Sequence, residues 1–117
     1  MATLTKLLVR LSKSTDKSSI VLDLTSKYGT GATPIFISTS GYDYVTVQVI
    51  GLTVGTFSFA ATLDDGSVTG TLKPNPVVPA NFTPFGMLNL ATGVIATSTT
   101  SAGMWENQFV TNFLQFT

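Results

Sequence analysis

Histidine and cysteine are both absent from these 117 residues. That removes the side chains that most often serve as general base, thiol nucleophile or transition-metal ligand. Carboxylates are the acid–base chemistry that remains, and the only adjacent pair is Asp64 and Asp65. Together with Asp43 these could act as paired acids or hold calcium. Neighbours on a strand point to opposite faces, however, and Asp64-Asp65-Gly66-Ser67 is the strongest turn signal in the chain, because an Asp-Gly pair supplies the left-handed positions of a type I′ turn. Gly29-Thr30-Gly31 lacks the lysine and following helix of a phosphate cradle and reads as loop. Tyr28, Tyr42, Tyr44 and Trp105 could stack on sugar faces, although tyrosines in strands are ordinarily half-buried sheet residues. The Asn81-Phe82-Thr83 sequon is followed by Pro84 and preceded by no secretory signal, so it is set aside. The chain is therefore read as no enzyme, with no catalytic residue, no metal site and no cofactor.

What the composition does favour is contact. Hydrophobic residues make up 44% of the chain and charged ones 10%, with a net charge of zero, against about 25% charged in an ordinary soluble domain. An exterior of threonine, serine, glycine and stray apolar groups holds itself in solution poorly, and neighbouring subunits are the usual cover. Charge is also unevenly placed. Lys6, Arg10, Lys13, Lys17 and Lys27 face only Asp16 and Asp23 in residues 1–27, leaving that segment at +3 and the remainder at −3. A basic segment ahead of an acidic body could attract neighbouring copies, or simply protect a strand edge with lysines. Three net positive charges without interleaved aromatic residues exclude a nucleic-acid footprint. Lys6 and Arg10 interrupt any leader-like apolar run, and no stretch approaches the roughly 20 apolar residues of a membrane span. Synthesis in the cytoplasm, with no membrane partner, is the expectation.

The elements that would carry such contacts are strands. Val45, Val47 and Val49 alternate with Tyr44, Thr46, Gln48 and Ile50, and Phe57, Phe59 and Ala61 alternate with Thr56, Ser58 and Ala60, the period of two a pleated strand imposes. Gly51 and Gly55 bracket Leu-Thr-Val between these runs and suggest a hairpin. Residues 68–72 are expected to return antiparallel after the Asp-Gly turn. Leu4, Leu7, Leu8 and Leu11 match helical spacing, yet Leu7, Val9 and Leu11 also alternate as a strand would, and an extended arm or strand is favoured. Ser14–Ser19 is a polar turn before a second strand at 20–25, and Ile35-Phe36-Ile37 is a short third. Four of the five prolines fall in 73–84, so that segment must run along an edge or as a loop. Residues 85–90 and 94–100 form a second hairpin about Ala91-Thr92-Gly93, and the chain finishes on a strand ending at Thr117. The fold class is all-β, an antiparallel β-sandwich or jelly roll, with residues 1–17 as a basic arm or edge strand and 18–117 as one domain.

The order SSIVLDL, VTVQVIGLTVGTFSFAATLDDGS, LNLATGVIATSTTSAGMW and FVTNFLQF, spanning residues 18–117, resembles the small β-sandwich virion proteins of tailed bacteriophages, of the capsid decoration or cement and tail accessory type. Many of those place an aromatic residue soon after the Asp-Gly turn, whereas Ser67-Val68-Thr69-Gly70 follows here. The resemblance implies a structural role in a virion: a cement protein on a phage head, bound across subunits of the major capsid protein and forming a homo-oligomer within the symmetric particle. A tail, baseplate or fibre component binding host surface glycans is the alternative. Candidate contact residues are Leu4, Leu7, Leu8 and Leu11 in the arm, Pro76, Val77, Val78, Pro79 and Phe82 in the proline segment, and Trp105. Removal of residues 1–12 is expected to leave a folded domain unable to bind shells.

Overall fold

The period-two runs become strands in the computed structural model, which describes residues 2–29, 34–64, 79–108 and 111–117. The strands are β1 (Lys6–Ser12), β2 (Ser19–Asp23), β3 (Ile35–Ser38), β4 (Tyr44–Ile50), β5 (Phe57–Thr62), β6 (Thr83–Pro84), β7 (Met87–Asn89), β8 (Ile95–Ala96), β9 (Ser98–Thr99), β10 (Gly103–Gln108) and β11 (Phe113–Phe116), with one turn of helix, α1 (Thr25–Tyr28), after β2. They form two sheets, ordered β2-β1-β4-β10-β7-β8 and β3-β11-β5-β6, with β9 pairing the far end of β5. Every pairing is antiparallel. The expected all-β sandwich is thus the architecture observed.

Alternation decides what lies between the sheets. Leu7, Val9 and Leu11 of β1 stand opposite Val49, Val47 and Val45 of β4, and all six are buried. From the other sheet Phe57, Phe59, Leu114, Phe116, Ile35 and Ile37 close the core. Trp105 of β10 is 1% exposed and meets Phe59 across the gap at 5.9 Å between rings. Gly103 makes room for it, because a Cβ there would lie 3.1 Å from the indole.

One edge of the sandwich is closed by strands that change sheets. Thr83–Pro84 pairs β5 and Met87–Asn89 pairs β10, while Ile95–Ala96 pairs β7 and Ser98–Thr99 pairs β5. The second expected hairpin therefore exists, but it bends across both layers, the usual construction of a sandwich corner. Gly86 sits at the bend, where a Cβ would come within 2.8 Å of the Ile95 side chain.

Three expectations need correction. The glycine-bracketed link after β4 is a crossing and not a hairpin, since β4 and β5 lie in different sheets. Gly51 starts that crossing at φ 68, with no space for a side chain against Thr5, and Thr3 pairs with Val54 alongside it. Secondly, the strand within residues 1–17, β1, is neither an extended arm nor an edge strand. β1 is hydrogen-bonded on both sides, to β2 and β4, so it is an interior strand of the first sheet. Removing residues 1–12 strips Leu7, Val9 and Leu11 from the core, at about 1.5–3 kcal/mol for each fully buried side chain. The truncated chain is expected to unfold. Thirdly, α1 interrupts what the sequence suggested was strand followed by loop. Asp23 accepts hydrogen bonds from the Thr25 amide (3.0 Å) and hydroxyl (2.6 Å), and this Asx turn starts a helix too short to show a period. The expected strand at 68–72, the Asp65-Gly66-Ser67 part of the turn, and Pro76, Val77 and Val78 lie outside the described residues.

Candidate interaction surface

The face of the six-stranded sheet that turns away from the core is built around β4. Its valines point inward, so Tyr44, Thr46, Gln48 and Ile50 point out. Register extends this into rows. Across the centre run Val21, Arg10, Thr46, Glu106, Leu88 and Ile95, one from each of β2, β1, β4, β10, β7 and β8. A second row holds Asp23, Leu8, Gln48 and Met104, and a third Ser19, Ser12, Tyr44 and Gln108. Val21 is 63%, Ile95 69% and Met104 39% exposed. Leu8, Arg10, Val21, Thr46, Gln48 and Met104 together line a shallow hollow of about 160 Å³.

Two larger open hollows flank the row. One, about 410 Å³, lies over Tyr44, Leu88, Ile95, Glu106 and Gln108; the other, about 430 Å³, lies over Arg10, Lys13, Lys17, Tyr44 and Glu106. Tyr44 and Glu106 form the ridge they share. The Gln108 amide donates to the Tyr44 hydroxyl at 2.6 Å, which orients that ring. Next to it the β1–β2 turn is tied down, because the Ser14 amide donates to Asp43 at 2.8 Å and the Ser14 hydroxyl donates to the same oxygen. Those bonds hold the Asp43 carboxyl below its ordinary value of 3.8. Asp16, accepting from the Ser18 amide and hydroxyl, and Asp23, accepting from the Thr25 hydroxyl and amide, are lowered in the same way. Lys13 closes the corner with its amine 5.4 Å from the Tyr42 ring centre.

The outer face of the second sheet is dressed differently. Phe36 packs edge-on against Phe113 at 5.9 Å and lies tilted against Phe82 at 6.4 Å. Lys27 places its amine 5.9 Å from the Phe36 ring and donates to the Phe36 carbonyl at 3.2 Å, covering part of the β3 edge.

The contact residues expected from sequence are scattered by this arrangement. Leu7, Leu11 and Trp105 belong to the core, where no partner can reach them without unfolding the domain, so they are withdrawn from the interface set. Leu4 packs half-buried on the core and Pro79 is buried. Phe82 is half-buried on the second sheet, and Leu8 alone lies on the β4-centred face. Of the sugar-stacking candidates, Trp105 is interior and Tyr28 is buried at 2% exposure, its hydroxyl without a hydrogen bond among the described residues and its phenol pushed up by burial. Only Tyr42 and Tyr44 remain within reach of a ligand. Among the described residues no three carboxylates gather as a metal site, and Asp64 instead accepts a hydrogen bond from Asn81 at 2.9 Å. Sequence reasoning missed Arg10, Val21, Thr46, Met104 and Glu106 as neighbours. Met104 and Glu106 flank a tryptophan, and alternation about a buried Trp105 turns both outward.

Comparison with protein-family models, with curated proteins and with solved structures finds no match. The functional reading therefore stands on the chain's own residues.

Proposed function

We propose that this chain is a structural protein of a virus particle, a cement that binds across major capsid protein subunits of a phage head. The observation that carries the reading is the placement of large apolar side chains on a scarcely charged exterior. Val54 in the β4–β5 crossing, Leu63 after β5 and Val94 at the tip of the β7–β8 hairpin are 64%, 70% and 59% exposed. They occupy three separate loops, as a protein touching more than one neighbour requires. Each contact is small alone. Repetition around a symmetric shell multiplies weak contacts through avidity, so a partner of this size holds without a single large interface.

Particles purified without the protein, then mixed with it and sedimented, test the reading. Saturable binding at copies on the order of hundreds per particle is expected of a symmetric shell. Binding at about a dozen copies supports a tail or fibre component instead, and no binding to either overturns the virion role.

A further inference from the structure

The charges on the β4-centred face are arranged so that the face complements itself. Arg10 and Glu106 lie in one row on either side of Thr46, and among the described residues neither has an ion-pair partner within the chain. A two-fold axis lying over β4 and parallel to it carries the β1 side of one copy onto the β10 side of another. Arg10 then falls over Glu106 of the second copy, and Glu106 over its Arg10, so each dimer holds two opposite-charge pairs. The same operation lays Leu8 over Met104 and Val21 over Leu88, which are apolar in each case. Gln48 meets Gln48, and side-chain amides are both donors and acceptors. An axis across the strands sets Arg10 over Arg10 and Glu106 over Glu106, and like charges directly opposed are strongly unfavourable. Of these two axes, only the one along β4 sets opposite charges against each other.

We infer that the outer face of the β2-β1-β4-β10-β7 layer is an isologous interface to a second copy of this chain, with the two-fold axis running along β4. A two-fold contact uses the same patch on both partners, which this row provides. Sheets stacked face to face lie about 10 Å apart, a gap that outward side chains from both layers fill. Five strands at about 4.8 Å spacing, each up to seven residues at about 3.4 Å, give a footprint of about 19 by 24 Å. That is about 900 Å² over both copies, below stable specific interfaces and in the range of weak, transient ones, so a weak dimer is expected. The inference does not depend on shell binding, which is assigned above to exposed loops.

Sedimentation equilibrium of the full chain, from about 1 to 500 μM, tests it with four proteins: wild type, Arg10→Glu, Glu106→Arg and the double variant. The wild type is expected to dimerise. Each single swap turns both charge pairs into like-charge pairs and is expected to weaken dimerisation about 10-fold or more. The double variant restores opposite charges and is expected to return to within about 3-fold of wild type. Thermal melts of the same four proteins separate lost association from lost folding, because both substituted side chains are exposed. A monomeric wild type at the top concentration, a dimer indifferent to either single swap, or a double variant no better than the singles each overturns the inference. Indifference to both swaps would point to pairing through the open β2 edge.

Discussion

The two outer faces of the sandwich come from the same alternation of residues, yet they are finished in opposite ways. On the five-stranded sheet, Phe36 and Phe113 share ring contacts, Phe82 packs against Phe36, and the Lys27 amine sits by the Phe36 ring. On that face the aromatic side chains contact one another, although Phe36 stays 36% exposed. On the six-stranded sheet, Arg10, Thr46 and Glu106 form a polar row among Leu8, Val21, Met104 and Leu88, and the apolar members remain open to water. Contact capacity in a protein with so few charges therefore differs between its two faces. A face whose aromatic side chains pack on one another stabilises the fold, and a face where charged, polar and apolar groups stand side by side is suited to a partner.

The largest effect on either face comes from the core they share. Trp105→Ala is expected to destabilise the domain by about 3–5 kcal/mol, measured by urea unfolding, and to lower association only by depopulating the folded state. A normal midpoint would contradict the packing of Trp105 between Gly103 and Phe59. Gly51→Ala follows, since φ 68 and the Thr5 side chain both oppose a methyl group there. A loss of about 1–3 kcal/mol is expected from backbone strain alone. Changes confined to one face then sharpen the contrast. Phe36→Ala should cost about 0.5–1.5 kcal/mol through lost aromatic pairing while leaving the monomer–dimer equilibrium alone. Met104→Ser should do the reverse, changing stability by about 0.5 kcal/mol or less and weakening association.

The smallest effect is electrostatic and confined to acid. Asp16, Asp23 and Asp43 have folded values depressed below 3.8 by their hydroxyl and amide donors. Their contribution is therefore complete well above 3.8 and is lost as the pH falls through the lower folded values. Melting temperature should drop as the pH falls below 3.8, and the Asp16→Asn, Asp23→Asn, Asp43→Asn triple variant should show a flatter profile. An unchanged profile would mean that these turns contribute nothing to stability.

How much of this was legible in the sequence follows from the range over which each feature is encoded. The inward valines of β4 and the inward phenylalanines of β5 are local alternation, and the sequence displays them directly. The fate of Leu7, Val9 and Leu11 is not local. Their spacing allowed a strand, but only pairing with residues 45–49, more than 30 positions away, makes that strand interior and withdraws its leucines from the surface. The crossing at Gly51 carried the glycine spacing of a hairpin, and the choice between hairpin and crossing rests on which sheet offers β5 a partner. That partner is β11, at the other end of the chain. The row of Arg10, Thr46 and Glu106 was invisible for the same reason, since its members are brought together by two registers that no short window contains. Helix α1 was missed because a single turn begun by an aspartate leaves no periodic trace.

The β4-centred face, and not the Phe36 face, is the one inferred to meet a second copy. The chain has no cysteine, so a single introduced thiol reports on one position. Thr46→Cys lies on the inferred axis and Gln115→Cys lies on the opposite face, and each is to be treated at micromolar concentration with a bismaleimide spanning about 10 Å, the spacing of stacked sheets. The account predicts a covalent dimer from Thr46→Cys and monomer from Gln115→Cys. Crosslinking through Gln115→Cys with none through Thr46→Cys, or none through either, would contradict it.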